Sequence, residues 1–285
     1  MIHYAHTFRT RGYDTDRTAT VPIPKFLSYL EHARWEWLLD PRAGFVDLIH
    51  DGHFFVVLRQ KLELIRRVGM SHDLTCAGHI LRIGRSTVDV EHRVTRDSDG
   101  ARVARAIVVG AWLGPNRRLA RIPNDLREML QEAEQPAPWV PETFAAGERP
   151  HGSVQMGEIS RLTPPEHVNP ALGLDITHPT DAAPEGAWCH SVVVRPSQID
   201  IFDHVNAATY LRYMDDARIL GARRGRLPER ADHPSVRVAI AYDREALVDD
   251  VLDVRVWPLE GDSAYACVVQ RGDERPLCRA RVDVL

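Results

Sequence analysis

The segment from Arg195 to Asn206 concentrates chemically useful side chains: Asp200, Asp203, His204 and Asn206 fall within seven residues. An Asp and a His four residues apart form a carboxylate–imidazole set. A carboxylate can activate water or attack a carbonyl, and an imidazole can orient water or carry its proton. Asn206 stands directly before a segment with helical periodicity and suits the N-cap of that helix. A helix start presents unpaired N–H groups and the positive end of the macrodipole. A carbonyl placed there is polarised, and its developing oxyanion is stabilised. Capping alone explains one or two of the four polar residues. It does not explain the Asp–His spacing, so hydrolysis at an acyl carbonyl is the chemistry this set can perform.

The elements that must position these groups occur twice. At a constant offset of 184 residues, Arg11 meets Arg195, Asp16 meets Asp200, Val21 meets Val205 and Phe26 meets Tyr210. In the same register Tyr29-Leu30-Glu31 meets Tyr213-Met214-Asp215, and Ala33-Arg34 meets Ala217-Arg218. A weaker echo at offset 178 pairs Leu62, Leu64, Arg66 and Leu74 with Ile240, Tyr242, Arg244 and Leu252. Each half opens with a short strand, Ala5–Arg11 or His190–Arg195. A helix follows, with Phe26, Tyr29, Leu30, Ala33 and Trp37 or Tyr210, Tyr213, Met214, Ala217 and Leu220 on one buried stripe. Four strand-like runs come next, near 54–64, 74–83, 87–95 and 102–112, then 236–242, 252–257, 264–270 and 277–284. Turn residues such as Gly84-Arg85, Asp97-Ser98-Asp99-Gly100, Gly261-Asp262 and Gly272-Asp273 separate them.

Strand, long helix, then a four-stranded antiparallel meander is the order of the hotdog fold. Two copies in one chain predict an α+β double hotdog, an intramolecular pseudo-dimer. The expected boundaries are an N-terminal domain over 1–130, a Pro-, Gly-, Ala- and Glu-rich linker over 131–186 and a C-terminal domain over 187–285. Within the linker, Ser153–Leu162 has strand character.

The chain has 285 residues, 44% hydrophobic and 27% charged, with a net charge of −4. This is a globular composition with both signs mixed, and it points away from nucleic acid. No apolar run approaches the ~20 residues of a membrane span. Met1–Gly12 lacks the apolar core of a signal peptide. Cys76, Cys189, Cys267 and Cys278 show no metal-ligand spacing and read as reduced thiols of a cytoplasmic protein. Histidines at 3, 6, 53, 72 and 79 also lack ligand spacing, and neither metal nor cofactor is expected.

Asp200-Ile-Phe-Asp-His-Val-Asn206, followed by Tyr210, resembles the Asp-x-x-x-His-Val-Asn-Asn-x-x-Tyr signature of hotdog thioesterases. Versions of it occur in 4-hydroxybenzoyl-CoA thioesterases and in the acyl-ACP thioesterases of plants and bacteria. The tandem layout is similar to the acyl-ACP group. So are Gly12-Tyr13-Asp14-Thr15-Asp16-Arg17 and the segment Arg117-Arg118-Leu119-Ala120-Arg121-Ile122-Pro123. The resemblance implies catalytic roles for Asp200 and His204, and for Glu245 in Tyr242-Asp243-Arg244-Glu245. It implies hydrolysis of an acyl thioester carried on acyl carrier protein or CoA, with the carrier protein itself as a partner. Two departures stand out: Phe202 replaces the usual Asn, and Ala207 replaces the second Asn of the signature.

In the repeat register, Thr20, Pro22 and Arg67 take the places of His204, Asn206 and Glu245. The expectation is one site, in the second half, with Thr20 capping the first-half helix. Acyl binding is then expected from the first half through Phe26, Tyr29 and Trp37, with Phe202 and Tyr210 completing the substrate contacts. Arg66-Arg67, Arg117-Arg118-Arg121 and Arg223-Arg224-Arg226 are candidate phosphate contacts. Pseudo-dimers could pair further into a homodimer. A hotdog hydratase or dehydratase and a non-catalytic acyl-thioester binder remain as alternatives.

Overall fold

The computed structural model describes residues 4–39, 45–131, 173–180, 182–259, 261, 263–272 and 275–285. The first half runs β1 (Tyr4–Arg9), α1 (Ile23–Leu38), α2 (Phe45–His50), β2 (Phe54–Leu64), β3 (Asp73–Ile83), β4 (Thr87–Arg96), β5 (Arg102–Leu113) and α3 (Asn124–Gln131). The second runs β6 (Trp188–Val193), α4 (Ala207–Arg223), β7 (Ser235–Tyr242), β8 (Val251–Pro258), β9 (Ala264–Gln270) and β10 (Cys278–Val284). Strand boundaries agree with the sequence expectation to within about two residues, because period-2 alternation and turn residues mark strands locally. The short helices α2 and α3 are additions that periodicity did not reveal. The expected strand at Ser153–Leu162 lies outside the described residues.

The ten strands of the described residues form one sheet in the order β1-β3-β4-β5-β2-β7-β10-β9-β8-β6. Each half contributes the same five-strand order, and β2 pairs antiparallel with β7 at the centre. The pairing centres on Lys61↔Ala239, flanked by Gln60↔Ile240 and Leu62↔Val238. Lys61 and Ala239 are themselves repeat equivalents at offset 178, so a pseudo-twofold axis passes through this pair. The double hotdog is therefore one continuous sheet curled over two helices. Pairing at the axis also protects what would otherwise be an exposed strand edge in each half.

The helices pack against each other and against the concave face. Phe26, Leu27, Leu30, Leu62, Leu211, Met214, Ile240 and Leu252 are among the buried members of one core that spans both halves. Burying each large apolar side chain stabilises the fold by about 1.5–3 kcal/mol. A second cluster of Phe45, Val88, Trp112, Ile122, Leu126 and Leu130 lies in the first half. The end of the linker region reaches the pseudo-twofold axis: Gly173 donates its N–H to Glu63 (2.8 Å), and Lys61 donates to the Leu174 carbonyl (3.2 Å).

The start of α1 corrects one expectation. Its N-cap is Pro22, with Pro24 in the first turn, a placement proline tolerates because no N–H bond is lost there. Thr20 does not cap the helix. Its hydroxyl meets Thr18 Oγ1 at 2.8 Å and accepts from Arg67. The reason is positional: Thr20 stands two residues before its helix cap, as His204 stands two residues before Asn206.

Candidate active site

The Asp–His spacing becomes a contact through a tight loop. Ile199 and Val205 bridge across its base. Inside it, Asp200 donates its N–H to the His204 carbonyl (2.9 Å) and Asp203 to the Asp200 carbonyl (3.1 Å). Asp203 takes φ 63°, a left-handed conformation that Asp adopts more readily than bulky residues. Asp200 Oδ1 then accepts the Phe202 N–H at 2.9 Å and lies 3.2 Å from His204 Nδ1. The backbone N–H of residue 202 thus orients Asp200 whatever side chain follows. Both side chains of the pair are about one-sixth exposed.

Asn206 caps α4, its Oδ1 accepting the Ala208 N–H at 2.9 Å. Its Nδ2 donates to both carboxylate oxygens of Glu31 on α1, at 2.9 and 2.8 Å. Tyr242 donates to the Ala207 carbonyl (3.0 Å) and accepts from Gln60 of β2 (2.6 Å). The start of α4 is therefore tied to the first half at two points. The Ala207 N–H itself has no hydrogen-bond partner among the described residues.

This helix start opens on a cavity of about 310 Å³. Its polar end carries Asp200, His204, Glu31 and Glu245, and its apolar body runs through Trp35, Trp37, Ile80, Val90 and Val108 to Leu130 of α3. Phe202 lines it too, its ring 4.6 Å from Phe54 and 5.9 Å from Trp35, both in stacked geometry. Tyr210 borders the cavity, and its hydroxyl accepts the Ala246 N–H at 2.9 Å. Phe26 and Tyr29 do not line it. They pack on each other edge-to-face at 5.9 Å within the core, and Tyr29 also meets Phe8. Their helix face turns toward the rest of the core, and Trp35 and Trp37, further along α1, meet the cavity instead.

Glu245 sits at the mouth, about half-exposed, paired with Arg117 at 3.0 Å. Arg117 also donates to the Phe202 carbonyl, so the end of the first half closes over the loop of the second. Burial disfavours the His204 imidazolium, but the Asp200 carboxylate, with Glu245 further off, outweighs it and raises the His204 pKa. Of the basic clusters, Arg66 is buried and Arg67 is turned onto Thr18 and Thr20, so neither offers a surface phosphate site.

The first half builds the same loop with different side chains. Asp16 donates to the Thr20 carbonyl (3.0 Å), Ala19 to the Asp16 carbonyl (2.9 Å), Thr18 to Asp16 Oδ1 (2.8 Å), and Ala19 takes φ 57°. Here Arg67 and Arg218 fill the space, leaving a cleft of about 30 Å³. The two copies thus share a backbone and differ in side chains and room.

Glu31 and Arg34 also line the cavity, outside the residues that the sequence pattern marks. Both stood in the repeat register opposite Asp215 and Arg218, which was a signal of position but not of role.

The profile of the thioesterase-like superfamily matches residues 10–130 and 194–285, both halves of the chain. The chain belongs to the thioesterase-like superfamily. Thioester hydrolysis is the general activity that goes with this membership. Comparison with curated proteins finds no match. Among solved structures, a Lactobacillus plantarum protein assigned as an oleoyl thioesterase is 17% identical, with a TM-score of 0.71, over 100% of this chain and 97% of that one. An acyl-ACP thioesterase from Bacteroides thetaiotaomicron is 15% identical, with a TM-score of 0.71, over 99% and 97%. A 12:0-ACP thioesterase from Umbellularia californica is 18% identical, with a TM-score of 0.69, over 99% and 96%. At these identities the likeness establishes the double-hotdog fold.

Proposed function

We propose that this thioesterase hydrolyses acyl groups carried on acyl carrier protein or CoA, at a single site in the second half. The observation that carries the reading is the Asp200–His204 pair set against the α4 N-terminus at the polar end of an apolar cavity. The thioester carbonyl lies over the Ala207 N–H, where the helix end stabilises the oxyanion. With the Asp200 carboxylate 3.2 Å from its Nδ1, His204 takes a proton from water as the water oxygen attacks the carbonyl carbon. When the tetrahedral intermediate collapses, the C–S bond breaks and that proton leaves with the thiol. Asn206 shapes the helix start, and Glu245 adds to the negative field that favours the imidazolium. The acyl chain occupies the first-half cavity under Phe202. The two family departures are accommodated: a backbone N–H replaces the missing Asn amide as support for Asp200, and Ala207 is simply the first residue of α4.

The test is thiol release from acyl-ACP and acyl-CoA panels by wild type, Asp200→Ala and His204→Ala. Hydrolysis that both variants abolish supports the assignment. Equal rates for wild type and Asp200→Ala would remove Asp200 from the mechanism. Saturable binding without turnover would favour a non-catalytic binder.

A further inference from the structure

The two copies of one helix position have different fates, and the difference bears on substrate. Arg218 of α4 is 1% exposed, and both of its terminal nitrogens are engaged. It donates to Asp215 (2.9 Å), to Ser235 Oγ (3.1 Å), to the His233 carbonyl (2.8 Å) and to the Ala231 carbonyl. A guanidinium cannot shed its charge, so burial demands such partners. Its equivalent in α1 is Arg34, and the equivalent of Asp215 is Glu31. Glu31 has turned away to hold Asn206. Arg34 Nη1 is buried and makes no hydrogen bond. Its charge is felt by Cys76 on β3, His92 on β4 and Tyr242 on β7. Yet Arg34 lines the acyl cavity beside Trp35 and His79.

Building on the thioesterase reading, we propose that Arg34 recognises an oxygen on the acyl group, so that the substrates are acyl thioesters with a carbonyl or hydroxyl close to the reacting carbon. The placement follows from the helix. Glu31 contacts the α4 N-terminus where the thioester carbonyl binds, and Arg34 stands one turn along the same face, ~5–6 Å away between Cβ atoms. An oxygen on the β-carbon falls in that interval, and an aliphatic tail continues into the apolar body of the cavity. An unsubstituted chain leaves the buried Nη1 without an acceptor, which disfavours its binding.

The experiment compares β-oxoacyl, β-hydroxyacyl and unsubstituted acyl thioesters of matched chain length, with kcat/KM read by thiol release. Wild type should favour the oxygenated acyl groups by about ten-fold or more, the range expected for one hydrogen bond to a charged group. Arg34→Met should collapse that ratio toward one, and Arg34→Lys should retain part of it. Hydrolysis of all three at equal kcat/KM overturns the Arg34 proposal and leaves the thioesterase assignment standing. If no thioester is cleaved, that assignment falls, and binding of the free acids then tests Arg34 separately, read by quenching of Trp35 and Trp37 fluorescence. There, tighter binding of the β-hydroxy acid that is lost in Arg34→Met supports the role, and equal binding of all acids refutes it. Should Arg34→Met fail to fold, Arg34→Gln serves in both assays.

Discussion

Glu31 and Asn206 should behave as a coupled pair in both stability and catalysis. Asn206→Ala removes a helix cap, worth about 1 kcal/mol. It also removes the donor to the Glu31 carboxylate, held at 2.9 and 2.8 Å. Glu31→Ala removes only the second interaction. A hydrogen bond to a charged group contributes about 1.5–3 kcal/mol. Glu31 borders the cavity and is only partly buried, so solvent screening reduces that to about 1 kcal/mol. The single variants should therefore cost about 2 kcal/mol for Asn206→Ala and about 1 kcal/mol for Glu31→Ala, and the double variant no more than Asn206→Ala alone. Thermal unfolding should show Tm reductions of about 4–8 °C and 2–4 °C for the two singles. Because the same contact aims the start of α4, kcat/KM for acyl-thioester hydrolysis should fall about five-fold in Glu31→Ala, with no further loss attributable to Glu31 once Asn206 is Ala. Strict additivity in the cycle, within about 0.3 kcal/mol, would refute the idea that the first half positions the catalytic helix through this bond.

The His204 pKa is raised, so its stability contribution is present in full below the unfolded value of about 6.5 and is lost as pH rises through the folded value. Unfolding free energy measured against pH should fall over that window in wild type and not in Asp200→Asn, and activity should rise across it as the neutral imidazole forms. Phe202→Ala removes stacking on Phe54 and Trp35 and should raise KM for long acyl chains more than it lowers kcat, a split that steady-state kinetics resolves. Gly221→Ala normally favours a helix, but here a Cβ would lie 2.7 Å from Leu227 Cδ1 and 2.8 Å from Trp188 Cδ1. Overpacking should lower stability by about 1–3 kcal/mol, and a Tm equal to or above wild type would contradict that packing. Thr20→His should not create a second active centre, because Arg67 and Arg218 occupy the space; thiol release by Thr20→His combined with Asp200→Ala would show otherwise.

Much of this protein was legible along the chain. Helical stripes such as Phe26-Tyr29-Leu30-Ala33 and alternating strands such as those of β6 and β8 are short-range patterns that local burial imposes on neighbouring residues. The offset of 184 residues between Asp16 and Asp200 announced two copies, and the loss of His at Thr20 announced that they are unequal. The Asp200–His204 contact was also accessible, since one seven-residue loop makes it. Phe26 and Tyr29 were misassigned to the cavity because a helical stripe shows that a residue is buried, not which of two buried surroundings it meets. Thr20 was misassigned as a cap because residue type suits capping but only the loop register decides which residue caps.

What the tertiary structure alone decided were the relations between residues far apart in the chain. Glu31 reaches Asn206 across 175 positions, Arg117 reaches Glu245 across 128, and Phe202 packs between Phe54 and Trp35. Each depends on the β2–β7 pairing that sets one hotdog against the other, and no local periodicity encodes the register of that pairing. The sequence by itself determined the two folds and the reactive loop. The joining of the folds determined which half supplies the wall, which side chain holds the helix start and which arginine is left facing the cavity.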